Sequence, residues 1–256
     1  MWSNNFPEED IIGIFNFKHY LIIVVYLLLA VYLAVKLRKM PHLKIKRLLA
    51  IVAISLTFAE MVKDADIILH HGHVRSWLQL AYCSLFLPAS WMALSKNKLI
   101  NKLGSAYLVI GGIVGGTLYI FVPNGSITTY PLYHIKAIHA ILYHFFMVFL
   151  GLLCLCSKYY ELKKSDFKYY FIYMSFFTIL ALGLNELFDC HALFLNDPSG
   201  ISFLISIYEA SPIIYAILVY LFEAVFAFFG VYYGYILVKK VLKYFQLKRQ
   251  TIEEYN

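Results

Sequence analysis

Of the 256 residues, 61% are hydrophobic and 14% charged, whereas soluble domains are about half apolar and about a quarter charged. The apolar residues come in runs of about twenty or more, the length that crosses about 30 Å of hydrocarbon. These numbers exclude a soluble fold, and the net charge of +7 then reads as membrane topology and not as a nucleic-acid surface.

Taken in order, the chain predicts an all-α polytopic fold. One integral membrane domain covers 1–256, with seven transmembrane helices at about 19–37, 47–70, 74–95, 100–122, 131–156, 167–192 and 212–239. Residues 11–17, IIGIFNF, suit an interfacial piece ahead of the first span. Glu8, Glu9 and Asp10 stand where a cleaved signal would carry basic residues, so the first span is expected to be retained. Residues 193–211 suit a second interfacial or re-entrant piece, turned by Asn196, Asp197, Pro198 and Gly200.

Basic residues set the orientation. All of the 22 Lys and Arg except Lys18, Lys63, Arg75 and Lys136 fall in the linkers after spans one, three and five or in the tail. Such residues collect on the cytoplasmic side. The N-terminus is therefore expected outside and the C-terminus in the cytoplasm, with the chain in the cell membrane.

Span four carries GGIVGG, with Gly111 and Gly115, and Gly112 and Gly116, four apart. Small residues at that spacing let helices approach closely in lipid. No strand precedes the motif and no Lys-Ser/Thr follows it, so it is not a phosphate loop. The cysteines, Cys83, Cys154, Cys156 and Cys190, lie in or at the ends of spans and form neither a disulfide framework nor a zinc knuckle. The 22 Tyr and 21 Phe are expected mostly to face lipid and the interface.

Ionisable side chains inside spans are costly and usually face the bundle interior. In span two Glu60, Lys63 and Asp64 share one helix face, which allows an internal ion pair. Counting residues from the outer ends places Glu60, Cys83, His139, His144, Asn185, Glu186 and Glu223 about 9–20 Å below the outer surface. Five helices thus supply polar groups to one layer, and the inner halves of the same helices are nearly all apolar. His134 lies just above that layer and Gln79 one turn before Cys83. Each group also has a plainer reading: Glu60 with Lys63 as a structural ion pair, Cys83 as a small hydrophobe, His144 as a donor to a neighbouring carbonyl. The HHGH stretch at 70–73 with Asp189, Cys190 or His191 has no fixed ligand spacing. No metal site and no cofactor are expected.

The pattern as a whole resembles the YwaF-like family of bacterial multi-pass integral membrane proteins. The residues that carry the resemblance are Glu60 with Lys63, the run LAYCS with Cys83 and Ser84, Pro123, and His134 with His144. Asn185, Pro198, Ser199 and Pro212 complete it. Gln79 and Ala81, and Phe145 after the second His, depart from the family pattern. The family is similar to a eukaryotic transmembrane acyltransferase of lyso-ether phospholipids that works through a Cys and a His. This implies Cys83 as nucleophile and His144 as base, with Asn185 orienting the imidazole or donating to an oxyanion. Glu60, Lys63, Gln79, His134, His139 and Glu223 would contact substrate, a membrane lipid.

The expected function is therefore a lipid-directed acyltransferase or acyl hydrolase with its polar site in the outer half of the bilayer. Two alternatives stand beside it. One is a small-solute or proton-coupled transporter lined by Glu60, Lys63, Glu186 and Glu223; the other is a non-catalytic membrane partner protein whose polar layer is fully paired.

Overall fold

Long apolar runs with no competing strand pattern fold as helices wherever the chain is described. The computed structural model describes residues 6–71, 80–123, 126–198 and 202–254, without the side chains of 8, 66, 70, 71, 202, 249 and 251–254. Helix α1 is Phe17–Leu37, started by Asn16, whose side chain accepts from His19 N. Helix α2 is His42–His71. A 3-10 turn, Cys83–Leu85, leads into α3, Phe86–Ala93. Helix α4 is Lys98–Phe121, capped by the Asn97 side chain. Helix α5 is Ile135–Cys156 and α6 is Phe167–Phe188. Then come α7, Ser202–Ala210, and α8, Pro212–Leu221, with Ser211 as cap and Pro212 at the first helical position. A π-turn, Phe222–Phe226, joins α8 to α9, Ala227–Glu254.

Five of these stretches are long and apolar enough to cross a membrane: Phe17–Leu37, Lys98–Phe121, Ile135–Cys156, Lys164–Phe188 and Pro212–Lys248. Helix α2 is long enough but carries basic residues at one end and Glu60, Lys63, Asp64 and Asp66 at the other. Three expected spans need correction. The described part of span three is helical only from Cys83 to Ala93, because the carbonyls before it are drawn sideways into other helices. Span six stops at Phe188, since Asp189 takes the left-handed conformation (φ 51°) and ends the helix. Span seven continues as helix to Glu254, well past 239. In the expected second interfacial piece, residues 192–194 form a short 3-10 turn with Leu193 wholly buried.

Helix α4 is the hub. Its glycines face inward and let α3, with the turn before it, and α5 close upon it. A Cβ on Gly104 would stand 2.5 Å from Ala89 O of α3, and one on Gly116 would stand 2.6 Å from His144 O of α5. Real Cβ atoms do not approach that closely, so the GGIVGG stretch serves helix packing as expected. Helix α1 is tied to the same core by two polar contacts. His19 Nε2 donates to Ile120 O at 2.9 Å, and the Tyr26 hydroxyl donates to Gly116 O at 3.2 Å.

Candidate functional site

The site grows from the irregular backbone before α3. Inside an apolar bundle, carbonyls outside regular helix need partners from elsewhere in the protein. Here the partners are mostly tyrosines. Leu80 O accepts from Leu193 N at 2.7 Å, Tyr82 O accepts from the Tyr107 hydroxyl, and Cys83 O accepts from the Tyr143 hydroxyl at 3.2 Å. Leu85 O accepts from the Tyr173 hydroxyl at 2.7 Å. Helices α4, α5 and α6 thus each hold one carbonyl of the turn that carries Cys83. These tyrosines are buried to 4% exposure or less, so these three do not face lipid. A phenol in the middle of an apolar span needs a partner for its hydroxyl, and that was the available signal for these residues.

The Cys83 thiol points at α4. It donates to Gly115 O at 3.7 Å, a long and weak contact, and a Cβ on Gly115 would stand 3.3 Å from the sulfur. On the next residue, Gly116, the backbone of His144 closes in. One turn further along α4, the Tyr119 ring stacks on the His144 imidazole with centroids 3.6 Å apart and planes 9° from parallel. The Tyr119 hydroxyl is fixed by Ser126.

His144 Nδ1 contacts Ala140 O at 2.7 Å. A carbonyl only accepts, so Nδ1 carries the proton, and a neutral ring keeps its lone pair on Nε2. No hydrogen bond joins the Cys83 sulfur to either imidazole among the described residues.

One turn before His144 on α5, His139 Nε2 lies 3.3 Å from Glu60 Oε1 of α2, off the alignment of a hydrogen bond. The other Glu60 oxygen pairs with Lys63, whose Nζ is also 3.6 Å from Asp64 Oδ1. The expected ion pair on α2 is therefore present and reaches α5. Glu60, Lys63, His139, Tyr143, His144 and Tyr119 follow one another in contact across α2, α5 and α4, and the Tyr143 hydroxyl ties this chain of groups to the Cys83 carbonyl in the α3 turn.

Other expected site residues lie apart from it. Asn185 spends both ends of its amide on Ala192, accepting from its N–H at 2.7 Å and donating to its carbonyl at 3.2 Å. It pins the loop after α6 and has no contact with His144. His134 caps α5 by accepting from Lys136 N and stacks on Tyr130, centroids 4.4 Å apart. Glu186 is exposed. Gln79 and most of the HHGH stretch lie outside the described residues. Among the described residues no group of three His, Cys, Asp or Glu is placed to hold a metal ion.

Glu223 sits in the π-turn behind the tyrosines. It is 6% exposed, and its Oε2 has no hydrogen-bond partner among the described residues. Its own carbonyl accepts from the Tyr170 hydroxyl at 2.6 Å, and Tyr170 meets the Tyr82 hydroxyl at 2.7 Å. Single π-turns inside helices often mark functional positions.

These features define an all-helical bundle of membrane type with a partly buried polar cluster beside its central helix. No protein-family model, curated protein or solved structure matches the chain.

Proposed function

We propose that this chain is a seven-span protein of the cell membrane, N-terminus outside and C-terminus cytoplasmic, that acts on lipid acyl groups through Cys83 and His144, as the YwaF-like resemblance implies. The observation that carries this reading is that the Cys83 thiol lies against Gly115 of α4 while the His144 backbone packs on the next residue, Gly116, and the His144 imidazole stacks on Tyr119 of the same helix. A thiol in apolar surroundings needs a base to become nucleophilic. His144 offers one, because Nδ1 is committed to Ala140 O and Nε2 is left to accept.

In the reaction, rotation about the Cys83 side chain exchanges Gly115 O for His144 Nε2. Nε2 takes the thiol proton as sulfur attacks the ester carbonyl. The ester C–O bond breaks, and the leaving lysolipid oxygen takes that proton. A second hydroxyl, from a lysolipid or from water, then reverses the sequence and frees the thiol. Lys63, Glu60 and His139, paired with one another beside α5, are the groups we propose to hold the headgroup. The test is a fatty-acyl probe: wild type should label at Cys83, and Cys83→Ala should not. Equal labelling of the two proteins overturns the reading.

A second reading, proton-coupled transport, is supported by Glu223, a carboxyl group with a free oxygen in an irregular turn. It requires uptake into proteoliposomes that Glu223→Gln and Glu60→Ala abolish. Transport that survives both substitutions removes it.

A further inference from the structure

At the end of the bundle where α4 finishes and α1 and α5 begin, the chain ahead of α1 joins two of these helices. Residues 6–16 run there from the start of α5 to the start of α1. The Phe6 ring meets His134 edge-on with centroids 5.2 Å apart, and Asp10 Oδ2 accepts from the Tyr133 hydroxyl at 3.0 Å. Ile12 is buried, at 6% exposure. The chain then turns sharply into α1. Gly13 and Phe15 both take the left-handed conformation, with φ 68° and 57°, which a residue carrying a side chain adopts only at a cost. In this turn Phe15 N–H donates to His19 Nδ1 at 3.1 Å, and Asn16 Nδ2 donates to Ile12 O.

These contacts assign both ring nitrogens of His19. A backbone N–H only donates, so Nδ1 is the acceptor and carries no proton. Nε2 lies 2.9 Å from Ile120 O, which only accepts, so Nε2 carries the proton. The ring is neutral and wholly buried, so bulk water does not replace a partner that it loses. A second proton acts unequally on the two nitrogens. Nε2–H still donates to Ile120 O, whereas Nδ1–H faces Phe15 N–H, donor against donor, and that bond is lost. The titratable groups on the surrounding elements are Glu9 and Asp10 of the segment, Lys18 and Tyr20 of α1, Tyr119 of α4 and Lys136 of α5. Of these only Tyr20 stacks on the ring, with centroids 6.3 Å apart, and among the described residues no carboxylate pairs with His19.

We infer that His19 is an acid-released latch: as a neutral ring it holds the turn at residues 12–16 and so keeps the segment 6–16 strapped between α1 and α5, and on protonation it lets go of Phe15 while keeping α1 on α4. The latch therefore holds at neutral and alkaline pH and is lost as the pH falls into the mildly acid range where histidine gains its charge. Opening relieves the left-handed Phe15 and bares Ile12. None of this depends on the chemistry at Cys83. The test uses the full chain in nanodiscs, with a spin label at Ile14→Cys, an exposed position in the turn, and the exposed Cys156 replaced by Ser. The label should be immobile at about pH 8 and mobile at about pH 5, reversibly and with helical content unchanged. The amide of His19→Gln can accept from Phe15 N–H and donate to Ile120 O at either pH, so this variant should keep the label immobile throughout. Asp10→Asn and Phe6→Ala remove the segment's other titratable contacts, at Asp10 itself and at His134, and should leave the transition in place; they decide the matter if His19→Gln does not fold. A label equally mobile at both pH values in the otherwise native chain, release accompanied by loss of helix, a transition that persists in His19→Gln, or one that vanishes in Asp10→Asn or Phe6→Ala would each overturn the inference.

Discussion

Two stretches of the bundle depart from regular helix, and they are treated differently. Before α3, each carbonyl of Leu80, Tyr82, Cys83 and Leu85 receives a donor from another element. In the π-turn at 222–226 the Glu223 carbonyl is served by Tyr170, yet the Glu223 side-chain Oε2 is not. The first irregularity is closed and rigid, as suits a side chain that must be aimed. The second keeps one buried polar atom open, as suits a group that receives something. Tyr170 joins them, since its hydroxyl touches both Tyr82 and Glu223.

The contrast is tested most strongly at the thiol. Cys83→Ala should lower acyl transfer by more than about 10³-fold with the fold intact. His144→Ala should cost about 10²–10⁴-fold, both measured with purified protein and a labelled lipid. Activity that survives both would leave the closed stretch as scaffold only. Next in size is packing. Gly116→Val forces α5 away from α4 and should destabilise the protein by about 1–3 kcal/mol, read by unfolding in detergent. Tyr170→Phe removes both hydroxyl contacts and should cost about 1–2 kcal/mol. If Tyr170→Phe costs no more than a substitution at lipid-facing Tyr32, the two irregular stretches are not coupled. The smallest effect is expected at Asn185→Ala, about 1 kcal/mol from the freed Ala192 backbone, with acyl transfer unchanged. A large loss of activity there would give Asn185 a chemical role that its present bonding does not.

Much of the cluster was readable as a matter of depth. Glu60, His139, Cys83 and His144 fall at similar distances along their spans, and of these Glu60 meets His139 while Cys83 and His144 each pack on α4. Depth counting is blind to rotation about each helix axis, however. That is why Asn185, at a similar depth, turns out to serve the loop at Ala192, and why Glu223 stands behind Tyr82 and Tyr170. The tyrosines that hold the Cys83 turn were hidden for a related reason. A Tyr in an apolar run suits lipid or core equally until its hydroxyl partner is known.

By itself the sequence determined the all-helical, membrane-type architecture, because apolar runs of this length can satisfy their backbone only as helices. It also determined the close approach at GGIVGG, since the absence of side chains is a local fact. Only the tertiary structure decided that the described part of span three is irregular before Cys83, that consecutive glycines of α4 receive the thiol and the His144 backbone, and that Glu223 lies in a π-turn. Each of these depends on which groups from distant helices arrive as hydrogen-bond partners, and a one-dimensional pattern of polarity does not carry that information.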